Sequence, residues 1–542
     1  MKVLIVGGVA GGAAAAARLR RLDETAEIVL FERGEYISYA NCGLPYYAGG
    51  VIAEREQLLL QTPQGFSRRF RVDVRTRCEV TAIEREFRRV RVREAGGREY
   101  AESYDRLILS PGAEPIIPDI PGIDLPGVHR VRTVPDIDAI KEALDNGRAR
   151  HAVVIGAGFI GLEMAENLRE RGMEVVIVEK QAQVLPHLDP EMAILIEREL
   201  IAHGVRAEVS EEVVGLARGA GGSLRVSLRC GRMIETDMVV FSIGVRPEIR
   251  LAETAGLAIG RSGIRVNARM QTNDPDIYAV GDAVEILHPL LAEYAHLPLA
   301  WPAARQALAA ANTIAGIGDE YRGGIGTAIV KVFTLAAAMT GVTEKVLCRH
   351  NRRFRKVYTH PAHRAGYYPG ATPLSIKLLF APDSGQVFGA QVVGNEGVDK
   401  RADLFAVAIK HAMTVFDLME FDLCYAPPFG AAKDPVNMTA MVAVNHLRGL
   451  SPLAHWEDVP EGGYVLDVRT VREFASGTVS GAVNIPVDDL RQRVMEIPSG
   501  KRLYVFCQFG ARAHTAVRFL RQKGFDAVNL SGGYETFLCQ GR

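Results

Sequence analysis

An α/β architecture of several domains is what this sequence predicts, on three observations. A unit of strand, glycine loop, helix and strand opens the chain as "KVLIVGG", "AAAAARLRRL" and "EIVLFER", and it returns at residues 151–179 as "HAVVIGAGFIGLEMAENLRERGMEVVIVE". A later strand, "IYAVGD", delivers Gly281 and Asp282 at its C-terminal end, where α/β folds place ligands. After residue 325 the texture changes to alternating strands, "GTAIVKVF", "SIKLLF" and "VFGAQVVG", then a helix, "DLFAVAIKHAM". A chain of 542 residues has room for about three domains at the usual size of roughly 150 residues each.

In the first unit Gly7, Gly8, Gly11 and Gly12 form the turn, Val9 and Ala10 sit inside it, and Glu32 closes the second strand. The second unit fits G-x-G-x-x-G fully with Gly156, Gly158 and Gly161, and Glu179 closes its strand. The chemistry needs these residue types. Glycine lets the backbone approach a pyrophosphate, the helix N-terminus offers free N–H donors, and the acid accepts ribose hydroxyls. One such motif is weak evidence, but two complete units in one chain predict a pair of Rossmann-like dinucleotide-binding domains.

An apolar content of 48% and a charged content of 24% describe an ordinary globular protein with ample core. The 64 basic and 64 acidic residues cancel, which argues against nucleic acid or an anionic membrane as partner. One local basic stretch, "FSRRFRVDVRTR" at 66–77, remains. The seven cysteines (42, 78, 230, 348, 424, 507 and 539) show no CxxC or Cys/His metal spacing, so no metal site is expected, and they suit a reducing cytosol. The apolar run in "MKVLIVGGVAGGAAAAARLRR" is broken by glycines and lacks a polar cleavage region. No stretch reaches the roughly 18 apolar residues that span a bilayer, and a cytoplasmic protein is expected.

Two dinucleotide units followed by "TNDPDIYAVGDAVE" resemble the flavoprotein disulfide reductases over residues 1 to 445. The resemblance implies FAD bound by residues 1–150 and 266–324, with Gly281 and Asp282 on its ribityl and phosphate groups. It implies NAD(P)H at 151–265, and an α+β dimerisation domain at 325–445 that makes a homodimer. A stretch rich in Pro, Gly and polar residues, 446–462, reads as a linker. Residues 463–542, with "YVLDVRTVREFASGTVSGAVNIP", "RLYVFCQFGARAHTAVRFLRQKGF" and "AVNLSGGY", resemble a single α/β rhodanese (sulfurtransferase) domain.

Cys42, in "ISYANCGLPYY", has no second cysteine four or five residues away to form a redox pair. Such a thiol completes its chemistry with a small molecule, through sulfenic acid or a mixed disulfide. The stretch resembles the one-cysteine branch of the disulfide reductases, which holds NADH oxidases, NADH peroxidases and coenzyme A-disulfide reductases. The oxidases and peroxidases carry a histidine in the first glycine loop, where this chain has Ala10. "GYYPG" at 366–370 and "CYAPPFGAAKDPVN" at 424–437 resemble the coenzyme A-disulfide reductase group. In that group two tyrosines reach the partner subunit's cysteine, and they map to Tyr367 and Tyr425. A phenol suits the role, since it can donate a proton to a departing thiolate.

The same resemblance sets Ser38 and Asn41 beside the pantetheine end of coenzyme A, with His296 a further contact. Cations for its phosphates are Arg18 and Arg21 on the first helix, Arg71 and Arg75 in the basic stretch, and Lys433 in "AAKDP". Phe159 matches the aromatic that shields the nicotinamide face of the flavin. Glu179 favours NADH by bonding both ribose hydroxyls and repelling a 2′-phosphate, while Lys180 softens that preference.

Cys507 heads the loop "CQFGAR", which runs directly into a helix. Successive N–H groups of such a loop and the helix N-terminus favour an anionic sulfur, either a thiolate or a terminal persulfide. In the rhodanese family the counterpart of Arg512 helps to stabilise that charge, while Asp467, Arg469 and Glu473 match the scaffold signature.

Together these features imply an FAD- and NAD(P)H-dependent enzyme that reduces coenzyme A persulfides, polysulfides or coenzyme A disulfide through Cys42, coupled to sulfur transfer at Cys507. Two other readings stand beside it: an NADH oxidase or peroxidase with a sulfur-binding tail, and a flavin redox-sensing interaction protein. The partners expected are small thiols and persulfides.

Overall fold

The computed structural model describes residues 1–147 and 149–540. It divides into two compact units, Met1–Ala182 with Gly204–Gly324, and Gln183–His203 with Ile325–Arg542.

In the first unit the aliphatic strand Lys2–Val6 lies between Glu27–Glu32 and Arg106–Leu109, parallel to both. Ile277–Ala279 and Asp73–Thr76 complete a five-stranded parallel sheet at its two edges. A second parallel sheet repeats the plan, with His151–Ile155 between Glu174–Val178 and Met238–Phe241. Central strands covered on both faces must be apolar throughout, and Val3, Leu4, Ile5, Val153 and Val154 are all buried. In each sheet the next strand in sequence lies to one side of the central strand and a much later one to the other. The glycine turn that leaves the central strand therefore opens at the point where strand order reverses, the place where open α/β sheets bind ligands.

Two expected boundaries shift. Val128–Arg130 pairs in parallel with Met238–Phe241, so the second dinucleotide-binding sheet draws on residues before 151. The segment Gln183–His203, with its helix Pro190–Ala202, groups with the second unit. A buried ionic cluster ties it there. Lys377, 1% exposed, places Nζ 2.9 Å from Asp189 Oδ2 and 2.6 Å from Glu344 Oε2, and also contacts Glu191. Burial alone would push this ammonium down, but the three carboxylates outweigh it and hold Lys377 above its ordinary range. These same three acids are the one group of converging potential metal ligands among the described residues, and a lysine stands between them.

In the second unit an antiparallel sheet runs Ala328–Val332, Leu335–Gly341, Val387–Gly394, Ser375–Phe380, Arg355–Thr359, with the helix Val398–Lys410 packed on it. The C-terminal parallel sheet centres on Leu503–Phe506, flanked by Tyr464–Asp467 and Ala527–Leu530. Residues 446–462, expected as a linker, belong largely to this domain. Leu453–Ala454 adds an edge strand to the sheet, and Trp456, 3% exposed, donates its indole N–H to Gly533 O at 3.0 Å. The domain covers the edge strand Arg355–Thr359 of the antiparallel sheet. Tyr358 N–H donates to Ser531 Oγ (2.9 Å), His360 Nε2 lies 2.9 Å from Thr536 Oγ1, and Lys356 Nζ meets Glu457 (2.7 Å). An edge that would otherwise expose unpaired backbone is thereby closed. No helix among the described residues is long and apolar enough to cross a membrane.

Candidate functional site

The two glycine turns build matching cradles. Gly7 (φ +97°) and Gly156 (φ +102°) adopt a conformation that favours glycine, and a Cβ on either would strike the strand beyond, at Ser110 O and Ser242 O. Gly12 and Gly161, one turn later, press their helices onto the carbonyls of Gly7 and Gly156. The closing acids act alike. Glu32 accepts from Gly8 N (2.8 Å) and Gly34 N (2.7 Å), and Glu179 from Ala157 N (2.7 Å) and Gln181 N (2.7 Å). Each carboxylate is thus fixed by its own turn while keeping further acceptor capacity for ribose.

Neither Val9 nor Gly158, the N-cap residues, supplies a side chain to the helix N–H groups that follow. A Cβ on Gly158 would meet nothing within 4 Å, so the room beside it is open to a ligand. Ala10 is the first residue of the first helix and Phe159, half-buried, the first of the second. Both cradles fit a pyrophosphate with its ribose. Lys180 donates to Glu212 at 2.8 Å, which draws its charge away from the carboxylate beside it.

Cys42 lies on the short 3-10 turn Asn41–Gly43, which runs into the helix Leu44–Gly49. Its loop is tied to the first cradle, for Ser38 N–H donates to Gly8 O at 2.9 Å. Ser38 adopts φ +46°, an uncommon conformation outside glycine and one that collects at functional sites. Cys42 and Asn41 are exposed. Enough protein still surrounds the sulfur that partial desolvation, then the charges of Glu163 and Asp282, push the Cys42 thiol up.

Glu163 is a site residue that the sequence reading missed. It stands on the helix Phe159–Glu170, accepts from Tyr46 Oη at 3.1 Å, and is itself raised to about 7 by burial, against the opposing Tyr46 bond. Asp282 is half-buried and raised by its burial, and its backbone carbonyl bonds His296 Nε2 at 2.7 Å. Gly281 (φ +81°) is fixed by Gln306, which accepts its N–H at 2.7 Å.

The two tyrosines drawn from separate motifs do come together. Tyr367 Oη lies 3.0 Å from Tyr425 Oη, and both side chains are exposed, at 77% and 46%. The shared bond, and after it slight burial, raises Tyr425 above its ordinary value.

The candidate cations divide. Arg21 and Lys433 are exposed, while Arg18 Nε donates to Asn312 Oδ1 at 2.8 Å. Arg71 pairs with Glu24 at 2.8 Å on the open surface. Arg75 does not fit the expectation. Its guanidinium is engaged by Asp73 (2.7 Å), Glu102 (2.6 Å) and Tyr100 Oη (3.0 Å), and it lies over the Phe31 ring, so it serves the sheet.

Cys507, 2% exposed, stands at the end of the central strand Leu503–Phe506 and before the helix Ala511–Gln522. Gly510, at φ +95°, turns its N–H to the sulfur at 3.1 Å. Arg512 forms a bidentate pair with Glu473, at 2.7 and 2.6 Å, which holds the guanidinium beside the loop and lowers Glu473 to about 2. Arg512 is raised above its usual value by Glu473 first and also by the Cys507 sulfur. Behind the loop, Arg469 pairs with Asp467 (2.8 Å) and donates to Gln508 Oε1 (3.3 Å). All seven cysteines are free.

Comparison with known proteins agrees with this layout. The family model described as pyridine nucleotide-disulphide oxidoreductase matches residues 1–307, that family's dimerisation domain matches 327–435, and a rhodanese-like domain matches 452–538. A coenzyme A disulfide reductase of Staphylococcus haemolyticus is 35% identical over 440 residues, covering 81% of this chain and 98% of the relative. An NADH oxidase of Methanocaldococcus jannaschii is 35% identical over 453 residues, covering 82% and 99%. Among solved structures, reduced CoADR-RHD of Bacillus anthracis superposes with a TM-score of 0.97 at 47% identity, over 99% of this chain and 98% of that one. An NAD-dependent persulfide reductase from A. fulgidus follows with a TM-score of 0.94 at 36% identity, over 99% and 100%.

Proposed function

The chain belongs to the pyridine nucleotide-disulphide oxidoreductases, and from that premise we propose a homodimeric, cytoplasmic reductase of coenzyme A persulfide and coenzyme A disulfide that works through Cys42. Gly7, Gly8, Gly11, Gly12, Glu32, Gly281 and Asp282 would hold FAD, and Gly156, Gly158, Phe159, Gly161 and Glu179 would hold NADH. Bound there, the two cofactors supply the electron pair that returns a Cys42 disulfide to thiols.

Cys42, as thiolate, attacks the sulfur–sulfur bond of CoA-S-S-R. One S–S bond forms at Cys42 Sγ as the other breaks, and sulfide or a thiolate leaves. In the tyrosine pair one phenol donates to the other, so the accepting phenol keeps its own proton free for the departing sulfur. Cys507 accepts sulfane sulfur, and the Gly510 N–H and Arg512 stabilise its charge. The observation that carries the reading is the free Cys42, held beside the first cradle by the Ser38–Gly8 hydrogen bond.

Anaerobic NADH oxidation against a panel of coenzyme A persulfide, polysulfide and coenzyme A disulfide, with sulfide detected, tests this. Coenzyme A substrates should turn over fastest, with one sulfide per NADH from the persulfide and two thiols per NADH, without sulfide, from the disulfide. Faster consumption with oxygen or peroxide would select the oxidase reading, whose loop histidine is Ala10 here. NADH should exceed NADPH in kcat/KM, since Glu179 faces the ribose site and Lys180 is paired with Glu212.

A further inference from the structure

Tyr367 and Tyr425 sit on separate loops, and both side chains are exposed, so their own packing does not explain how two phenols stay 3.0 Å apart. The explanation lies beneath them, in a buried guanidinium. Arg401, 1% exposed at the start of the helix Val398–Lys410, is among the largest fully buried side chains. Its Nη2 donates to His363 O at 2.8 Å, four residues before Tyr367, and also to Asp434 Oδ2 at 2.8 Å. Its Nε donates to Asp434 Oδ1 at 3.3 Å and its Nη1 to Gly397 O at 3.2 Å. Gly397 takes φ +71°, and a Cβ there would collide with Nη1, so the backbone is shaped around this side chain.

Each partner leads to one tyrosine. His363 anchors the Tyr367 loop at both ends, for its Nδ1 accepts from Thr372 N at 3.1 Å while its carbonyl is bound to Arg401. Asp434, 3% exposed, closes the Tyr425 loop and caps the helix Pro435–Leu447 through Val436 N at 3.0 Å. The backbones of the two loops are also tied directly, Ala365 N–H to Gly430 O at 2.8 Å.

We propose that Arg401 is a positioning residue for the reductase, fixing the Tyr367 and Tyr425 loops in register through His363 O and Asp434 so that the phenol pair is formed before substrate arrives. This rests on the function proposed above. A buried charge with a planar fork suits the task, because its donors reach two loops from one rigid plane and a misplaced group is left unpaired in the core. Lysine keeps the charge but lacks the planar fork, so it cannot reproduce the paired Nε and Nη2 bonds to Asp434 together with the bond to His363 O.

The test compares Arg401→Lys, Arg401→Met and Asp434→Asn with the wild type as full-length, cofactor-loaded protein. Four readouts are taken: kcat and KM for coenzyme A disulfide, NADH-driven ferricyanide reduction, thiosulfate sulfurtransferase activity, and amide exchange. The first should show kcat down by about 10- to 100-fold in Arg401→Met, with Arg401→Lys between, as expected when a reacting group loses its placement. Ferricyanide reduction and sulfur transfer should stay within about twofold, because neither uses the phenols. In the Arg401→Met background, Tyr367→Phe and Tyr425→Phe should cost less than in the wild type, with each double variant no worse than the tyrosine variant alone. Amide exchange should quicken together in 363–370 and 424–430, with Ala365 as reporter.

Unchanged exchange in both loops overturns the proposal, and so does a loss that multiplies with that of the tyrosines or falls equally on ferricyanide. Should Arg401→Met not fold, the uncharged and isosteric Asp434→Asn carries the same predictions. Should the two Tyr→Phe changes leave kcat untouched in the wild type, the tyrosine chemistry fails, and the exchange data still decide whether Arg401 holds the loops.

Discussion

Cys42 is exposed on a three-residue turn, with Glu163 and Asp282 adding to partial desolvation to push its thiol up. Cys507 is buried at the end of a central strand, where the Gly510 N–H points at its sulfur and Arg512 stands beside it. Both thiols sit at the entrance to a helix in an α/β frame, so local fold does not separate them. The charges around them do. Desolvation first, and then the acids beside Cys42, push its thiol up, which slows its climb up the oxidation ladder. Donors beside Cys507 suit an anionic sulfur, as the persulfide proposed for it would be. On the function proposed above, one fold class would supply a reducible thiol and a sulfur carrier by changing what faces the sulfur.

The sharpest way to break that division is to remove each thiol alone. Cys42→Ser should lower NADH-driven sulfide release by more than about 1,000-fold, while thiosulfate sulfurtransferase activity and flavin absorbance persist. Cys507→Ala should do the reverse, keeping reduction of free coenzyme A persulfide within about twofold. A single change that destroyed both activities would mean the sites are not separate. Next in size, Tyr367→Phe or Tyr425→Phe should lower kcat with coenzyme A disulfide by about 100-fold, the usual worth of a general acid, without touching sulfur transfer.

A smaller effect probes the electrostatics of Cys42. The ionised carboxylate of Glu163 disfavours the thiolate, and burial pushes Glu163 up to about 7. In flavin-free protein, Glu163→Gln should therefore speed alkylation of Cys42 several-fold above pH 7, read by peptide mass mapping, and change little below pH 6 where Glu163 is protonated. No corresponding change is expected at Cys507.

The smallest concerns how the Cys507 domain is seated. His360, fully buried with its ring 5.8 Å from that of Phe509 in the Cys507 loop, is pushed down to about 4 from 6.5 by burial. The folded protein leaves it neutral until about pH 4, whereas the unfolded chain protonates it near 6.5. Its contribution, about 3 kcal/mol, is present in full above pH 6.5 and is lost between 6.5 and 4. His455, also pushed down to about 4 by burial, acts in the same window, so His360→Asn should reduce the slope of that part of the stability profile, measured by urea unfolding, and leave reductase activity unchanged at pH 7.5.

What the sequence made legible was chemistry carried by short spacing. The glycine turns, Glu32, Glu179, and the Cys507 loop each declare themselves within about thirty residues, because a turn, a helix start and a strand end are local events. Tyr367 and Tyr425 needed a family pattern as well, since nothing in either stretch says that the phenols meet. Long-range partners stayed hidden. Arg75 reads as a surface cation until Glu102 and Tyr100 fold back onto it. Leu453–Ala454 and Trp456 read as linker because two residues make too short a strand to show a period. Glu163 and Arg401 lie on amphipathic helices, where a charged residue reads as solvated face until the packing turns it inward.

The central claim is that Cys42 alone reduces the sulfur–sulfur bond and Cys507 only carries sulfur. Anaerobic turnover of coenzyme A persulfide with limiting NADH, with sulfide quantified for wild type, Cys42→Ser and Cys507→Ala, tests it most directly. The account predicts one sulfide per NADH from the wild type and from Cys507→Ala, and none from Cys42→Ser. Sulfide released by Cys42→Ser at a comparable rate would contradict it.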